Sequence, residues 1–381
     1  MTLPLLIVGA SARAAAWSAL RAGLTPFAAD LFTDRDLKSV APCVRVPPDA
    51  YPEGLIEAAA ARPASPWLYT GALENRPDLV DRLAAHRPLW GNPGATLRVA
   101  RDPIAVAEVV RSAGLPVPEV RLAPDGLPRD GSWLRKPLAS AGGRDVAALG
   151  PDTAPARRPV YYQERIAGLS LSAVFIAAGG KAVLAGVTRQ LVGRAGAEFA
   201  YRGNLAPWPV EAKALRRIET LGNALVHRIG LVGLFGVDLV LDDNGRPWPV
   251  EVNPRYTASV EVIELATGRP LMDDHRRACE GRDIALPPSQ PGPRRFVAKE
   301  IVYAETDGLF CDDEPPLAVA TDPFRVPSVA DVPEAGTPIA AGDPVLTVFA
   351  EGPTPEETLH ALERARGGWE GRWATPGFKG S

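Results

Sequence analysis

A chain of 381 residues, 46% hydrophobic and 23% charged, has enough apolar mass to bury a sizeable core, which excludes disorder or fibre as its main state. With 42 basic and 45 acidic residues the net charge is −3, so neither nucleic acid nor an anionic membrane surface is an expected partner, and a small polar substrate is. No apolar run approaches the roughly 20 residues of a bilayer span, and residues 1–9 read as a strand rather than a signal peptide, so the expected location is cytoplasmic.

In chain order, residues 5–9 form a short apolar strand, followed by an Ala-rich helix to Leu20, a stop at Gly23 and a second strand over 25–29. This opens an α/β unit whose single glycine, Gly9, falls short of a dinucleotide fingerprint, and Ser11 is expected to cap the first helix. A helix is expected over 102–113, ended by Gly114, then a strand at 133–137 running into the small-residue loop Leu138 to Arg144. Strands follow at 160–163, 171–176 and 182–188, then Phe199 to Asn204 as a loop and a long helix over 211–229. The run 287–293 has the composition of a linker. Beyond it lie strands at 295–303 and 344–350. Thr354, Pro355 and Glu357 then supply an N-cap, a first-turn proline and a capping-box acid for a helix to about Arg366.

The stretch Leu234 to Leu241, then Asp242-Asp243-Asn244-Gly245, then Arg246 to Arg255 carries the strongest hairpin signal, an Asn-Gly between two apolar alternating runs. With Asn244 and Gly245 as the two central turn residues, Asp243 pairs Arg246 and Asp238 faces Glu251, with Cα atoms roughly 4.5 Å apart. Pro247 and Pro249 then fall where the partner strand needs no amide proton. Asn253 shares the face of the two carboxylates, while Val237, Leu239, Val250 and Val252 take the other. Two carboxylates and an amide oxygen side by side suit a hard divalent cation, Mg2+ or Mn2+. An ordinary polar hairpin face would use the same residue types, and what favours the cation lies elsewhere in the chain. Lys136 ends a strand just before Ser140-Ala141-Gly142-Gly143, where small residues let backbone amides approach an anion.

Taken in order, residues 102–118, Lys136 with its glycine loop, Gln163 to Gly168, Asp238, and Glu251-Val252-Asn253-Pro254-Arg255 resemble the ATP-grasp superfamily across about residues 101–281. The resemblance implies a mixed α/β (α+β) fold in three units: an N-terminal Rossmann-like α/β domain over 1–98, a two-lobed ATP-binding domain over 99–290, and a small β-rich C-terminal domain with a final helix over 291–381. It implies ATP and Mg2+ (or Mn2+) as cofactors. Lys136 would contact phosphates, Ser140, Gly142 and Gly143 would cover them, and Gln163, Glu164, Arg165 and Ile166 would form the adenine hinge. Asp238, Glu251 and Asn253 would hold the metal, and Arg255 would meet the γ-phosphate.

Two positions depart from the pattern: Pro103 stands where a first lysine is usual, leaving Arg101 as its stand-in, and Ser170 replaces a ribose-binding acid. Arg189 is a second candidate for binding phosphate or a substrate carboxylate through its planar fork. At a finer level the chain resembles predicted carboligases related to biotin carboxylase, including tyramine-glutamate ligases and proteins tied to methanofuran- and tetrahydromethanopterin-type one-carbon cofactors. The implied reaction joins a small carboxylate to an amine through an acyl-phosphate. A carboxyphosphate-forming carboxylase and a non-catalytic ATP-binding subunit are the alternatives, and a homodimer is the default assembly.

Overall fold

The computed structural model describes residues 2–62, 64–153, 155–284, 295–311 and 322–369, so the linker expected at 287–293 lies outside the described residues. The N-terminal unit holds β1 (Pro4–Gly9), α1 (Arg13–Arg21), β2 (Thr25–Asp30), α2 (Arg35–Lys38), β3 (Cys43–Arg45), α3 (Leu55–Ala60), β4 (Trp67–Tyr69), α4 (Pro77–Ala84) and α5 (Gly94–Ala100). Its strands form a parallel sheet in the order β3-β2-β1-β4. Ser11 does not cap α1. The buried carboxylate of Asp30, at the end of β2, accepts instead from the Ala12 amide at 2.6 Å and from the Phe32 and Thr33 amides. Ser11 lies exposed one residue too early, so the capping charge comes from the neighbouring strand.

The helix α6 (Pro103–Ser112) has Asp102 as N-cap, accepting from the Ile104 and Ala105 amides at 2.9 and 3.2 Å. Then β5 (Val120–Arg121), β6 (Trp133–Pro137), β7 (Ala147–Ala148) and β8 (Val160–Glu164) make a small antiparallel sheet in the order β5-β8-β6-β7. It sets Lys136 across from Tyr161, with Gln163 paired to Leu134 two residues away.

The rest of the chain builds one large antiparallel sheet, the helices that flank it and a separate two-stranded pair. Its elements are β9 (Leu169–Ala178), β10 (Lys181–Arg194), β11 (Ala197–Ala206), α7 (Ala212–Ile229), β12 (Gly233–Leu241), β13 (Pro247–Asn253), α8 (Ala258–Thr267) and α9 (Leu271–Cys279). After these come β14 (Phe296–Tyr303), β15 (Gly308–Leu309), β16 (Val329–Ala330), β17 (Pro338–Ile339), β18 (Pro344–Gly352) and α10 (Pro355–Gly367). The strand order is β13-β12-β9-β10-β11-β14-β18-β16, so β14, β18 and β16 continue the central sheet without a break, while β15 and β17 pair with each other apart from it. Residues 199–204, expected as a loop, belong to strand β11, joined to β10 by a turn with Gly196 at positive φ. The helices without a counterpart among the expected elements are α2 to α5 in the N-terminal unit and α8 and α9 after the hairpin. Residues Ser259 to Leu265 of α8 are all buried, so α8 has no polar stripe for a 3.6-residue period to reveal.

One face of the large sheet is covered by α7, where Phe175 and Phe235 stack with centroids 5.0 Å apart. The other face shares a core with the N-terminal unit: Ala15, Ala16 and Ala19 of α1 pack with Val260 and Ile263 of α8 and Met272 of α9. A buried ion network crosses the same junction. Arg13 donates from Nε and Nη2 to Asp331 at 2.8 and 3.1 Å and pairs with both oxygens of Glu261, which also takes Lys299 Nζ at 2.8 Å. Burial alone would raise Glu261, but Arg13 and then Lys299 hold it well below the usual carboxylate range.

Candidate active site

The functional side chains converge on a cleft of ≈ 590 Å³ between the small sheet and the large one. One wall comes from β6 and the loop after it. Lys136 is buried, and its ammonium donates to Gln163 Oε1 at 3.1 Å and to the Val250 carbonyl at 3.0 Å, 5.6 Å from the Tyr161 ring. Burial would lower its pKa, yet Tyr161 and Glu251 nearby raise it, so the cation is retained. Ala141, Gly142 and Gly143 line the cleft, with both glycines at positive φ. A Cβ on Gly143 would overlap the Phe199 carbonyl oxygen, so only glycine lets the loop lie this close to β11. Ser140 sits just outside the lining, and its carbonyl accepts from Asn75 and, at 3.5 Å, from Arg101.

Gln163, Glu164, Arg165 and Ile166 follow as the strand-to-strand segment at the back of the cleft, continued by Ala167, Gly168 and Ser170. Arg165 turns its head to Glu198 and lies over the Phe199 ring, 5.4 Å from its centroid.

On the floor, Asp238 pairs directly with Glu251 and Val237 with Val252, as the hairpin pattern requires. Nearer the turn the register differs from expectation by one residue. Leu239 pairs with Pro249 and Leu241 with Pro247, so Val250 is the extra residue of a β-bulge and Asp242, not Asp243, meets Arg246. The cause is local: the Asp242 carboxylate accepts from the Asn244 and Arg246 amides, the Arg246 guanidinium and the Trp248 indole, which favours a longer turn than two residues. Pro247 and Pro249 are tolerated because β13 is the edge strand. The bulge also turns Val250 into the cleft lining, away from the apolar face that holds Val237, Leu239 and Val252.

Asp238 accepts from neutral donors, Gln190 Nε2 at 2.9 Å and Asn253 Nδ2 at 3.1 Å, with Ser172 alongside. Burial first, and the facing Glu251 second, push its pKa to about 6. Glu251 accepts from Arg101 Nη1 at 2.6 Å. Burial would raise it too, but Arg101 and then Lys136 bring it below its ordinary value. The pair is therefore short of positive charge on the Asp238 side, where a divalent cation fits the donor set. Among the described residues no group of three or more His, Cys, Asp and Glu gathers at a point suited to a metal, so further ligands would have to come from phosphate or water. Asn253 presents its nitrogen to Asp238 and its oxygen to Arg255, so its amide would have to turn over to serve a cation.

Arg255 lines the same end of the cleft. Its guanidinium donates to Glu74 Oε1 from Nε at 2.8 Å, to the Tyr256 carbonyl at 3.0 Å and to Asn253 Oδ1 at 3.2 Å. Arg101 lies behind Glu251 rather than in the cleft lining. Arg189 is not brought to the site: its guanidinium lies 5.3 Å from the Trp208 ring, while the next residue, Gln190, faces the cleft. The signal for this was in the strand's alternation, since Arg189 has the parity of the buried Val187 and Leu191. Glu74, Asn75 and Ser172 were also missed, and in sequence they carry no mark beyond polar residues near strand ends.

A glycine-loop lobe closing on a larger antiparallel sheet, behind a parallel α/β unit, is the ATP-grasp arrangement, and the chain has that fold. A family model described as an ATP-grasp domain matches residues 100–259. No curated protein matches the chain in sequence. Among solved structures it is similar to the biotin carboxylase domain of Hydrogenobacter thermophilus 2-oxoglutarate carboxylase, a dimer in complex with MgADP, ADP and bicarbonate, with TM-score 0.73, 16% identity and coverage of 96% of this chain and 89% of that one. It is also similar to an L-amino acid ligase from Bacillus licheniformis (TM-score 0.67, 15% identity, 96% and 97% covered) and to the N5-carboxyaminoimidazole ribonucleotide synthetase of Thermotoga maritima (0.62, 16%, 96% and 98%).

Proposed function

We propose that the protein is an ATP-dependent carboxylate–amine ligase. The observation that carries this is a single cleft in which a buried lysine and a positive-φ glycine loop face two opposed carboxylates, one of them with no cation in direct contact among the described residues. In this reading Lys136 and the backbone of Ser140 to Gly143 hold the phosphates, residues 163–166 hold adenine, and Asp238, Glu251 and Asn253 hold Mg2+. When bound, Mg2+ neutralises charge on the polyphosphate. Arg255 addresses the γ-phosphate with its remaining N–H, and Arg101 fixes Glu251 and the loop carbonyl of Ser140 relative to each other. A substrate carboxylate oxygen attacks the γ-phosphorus and ADP leaves. The amine nitrogen then attacks the acyl carbon, phosphate departs, and the amine gives up a proton. No protein nucleophile is required, and positioning with charge neutralisation supplies the acceleration.

The finer reading, by resemblance, is glutamate joined to an amine in biosynthesis of a methanofuran- or tetrahydromethanopterin-type cofactor. The likeness to a biotin carboxylase domain supports carboxyphosphate formation from bicarbonate as the second reading. Release of ADP and phosphate is measured with Mg-ATP, L-glutamate and a panel of amines including tyramine, against bicarbonate alone. The ligase reading expects amine-dependent release that falls about a hundredfold or more in Lys136→Ala and Glu251→Gln. Turnover that needs bicarbonate and ignores amines would replace it with the carboxylase.

A further inference from the structure

The corner Asn253-Pro254-Arg255 is held from outside its own strand by the N-terminal unit. The Tyr69 hydroxyl and the Asn92 amide donate to the Pro254 carbonyl at 3.3 and 3.0 Å. Glu74 Oε1 accepts from Arg255 Nε at 2.8 Å and pairs with its Nη2 at 2.8 Å, and the next residue, Asn75, donates to the Ser140 carbonyl of the glycine loop at 3.1 Å. One 3-10 turn, Leu73–Asn75, thus touches both walls of the cleft. It is entered through Ala72 at φ 79, a left-handed conformation that is unfavourable for alanine and that the surroundings must enforce.

Glu74 is 1% exposed, and its second carboxylate oxygen has no donor among the described residues. A buried carboxylate satisfied on one side only is an expensive way to build a domain contact. We infer that Glu74 is a positioning residue: it fixes the guanidinium plane of Arg255 towards the triphosphate end of the cleft, so that the N-terminal unit sets the discrimination between ATP and ADP. The inference rests on the proposed role of Arg255 at the γ-phosphate. Glu74 bonds Arg255 and does not itself line the cleft, so its loss is expected to act on the third phosphate alone.

The test is calorimetric titration of Mg-ADP and of Mg-AMPPNP, a non-hydrolysable triphosphate, into the full chain and into Glu74→Gln, Glu74→Asp, Arg255→Ala and the Glu74→Gln/Arg255→Ala double variant. Mg-ADP affinity is expected to stay within about twofold throughout, while the preference for AMPPNP falls about tenfold in Glu74→Gln and Arg255→Ala. The double variant should lose no more than either single one, and Glu74→Asp should recover part of the preference. An unchanged preference in Glu74→Gln beside a lost one in Arg255→Ala overturns the inference and leaves the ATP site standing. Equal loss of ADP and AMPPNP binding in Glu74→Gln also overturns it, because that is the mark of a merely structural contact. Absent Mg-ADP binding by the wild-type chain, or an unchanged preference in Arg255→Ala, removes the underlying reading itself.

Discussion

Gly168 and Gly142 stand at opposite sides of the cleft and have different reasons to be glycine. Gly168 has φ +149, and a Cβ there would overlap the Leu241 carbonyl oxygen, whereas Gly142 has φ +64 with nothing within 4 Å. Gly142→Ala should therefore cost only the left-handed strain, about 1 kcal/mol, and Gly168→Ala about 3 kcal/mol, as urea unfolding would read. Equal costs would show that the Leu241 strand end yields freely. Arg13 is a larger case. Its removal leaves Glu261 and Asp331 in the interior with less compensation, and Arg13→Ala should lose about 3–5 kcal/mol by the same measurement. Arg189 and Gln190 differ by face alone: Arg189→Ala should leave Mg-nucleotide affinity unchanged, while Gln190→Leu should lower it several-fold.

At the scale of elements, the hairpin was legible because two apolar alternating runs flank an Asn-Gly, and its distal half places Asp238 opposite Glu251 as read. The bulge was not legible, since it follows from four donors converging on one aspartate, a contact pattern that no spacing records. α10 was legible through its cap, where Thr354 Oγ1 accepts from the Glu357 amide at 3.2 Å. α8 was hidden by being buried all round, and α9 by its shortness. α9 nevertheless supplies a titratable group: buried His275 accepts from the Leu234 amide through Nδ1 at 2.8 Å, and burial lowers its pKa to about 4. An unfolded histidine titrates near 6.5, so between about pH 6.5 and 4 the unfolded chain binds more protons and acid withdraws stability. Denaturant titrations of the wild type and His275→Gln across this window should show the wild-type advantage shrinking by a few kcal/mol as pH falls. A constant gap would mean that the imidazole charges in the folded state without penalty.

Over the whole molecule, the three units implied by the family resemblance share structure. The C-terminal strands β14, β18 and β16 lie in the central sheet, and α1 completes a core with α8 and α9. Residues 99–381 expressed alone should therefore expose an apolar face and two carboxylates that had faced Arg13, and should bind the dye ANS and lack a cooperative thermal transition. A sharp transition in that fragment would show that the shared core is dispensable. The Arg13 contacts also have a meaning in time. Their partners stand 248 and 318 residues further along the chain. At a synthesis rate of about 5–20 residues per second, α1 would wait roughly ten seconds to a minute on the ribosome before either carboxylate exists. Over that interval the small alanine-rich face of α1 offers little grip for wrong partners, which makes alanine a safer choice than leucine for a surface that must stay open until translation delivers its cover.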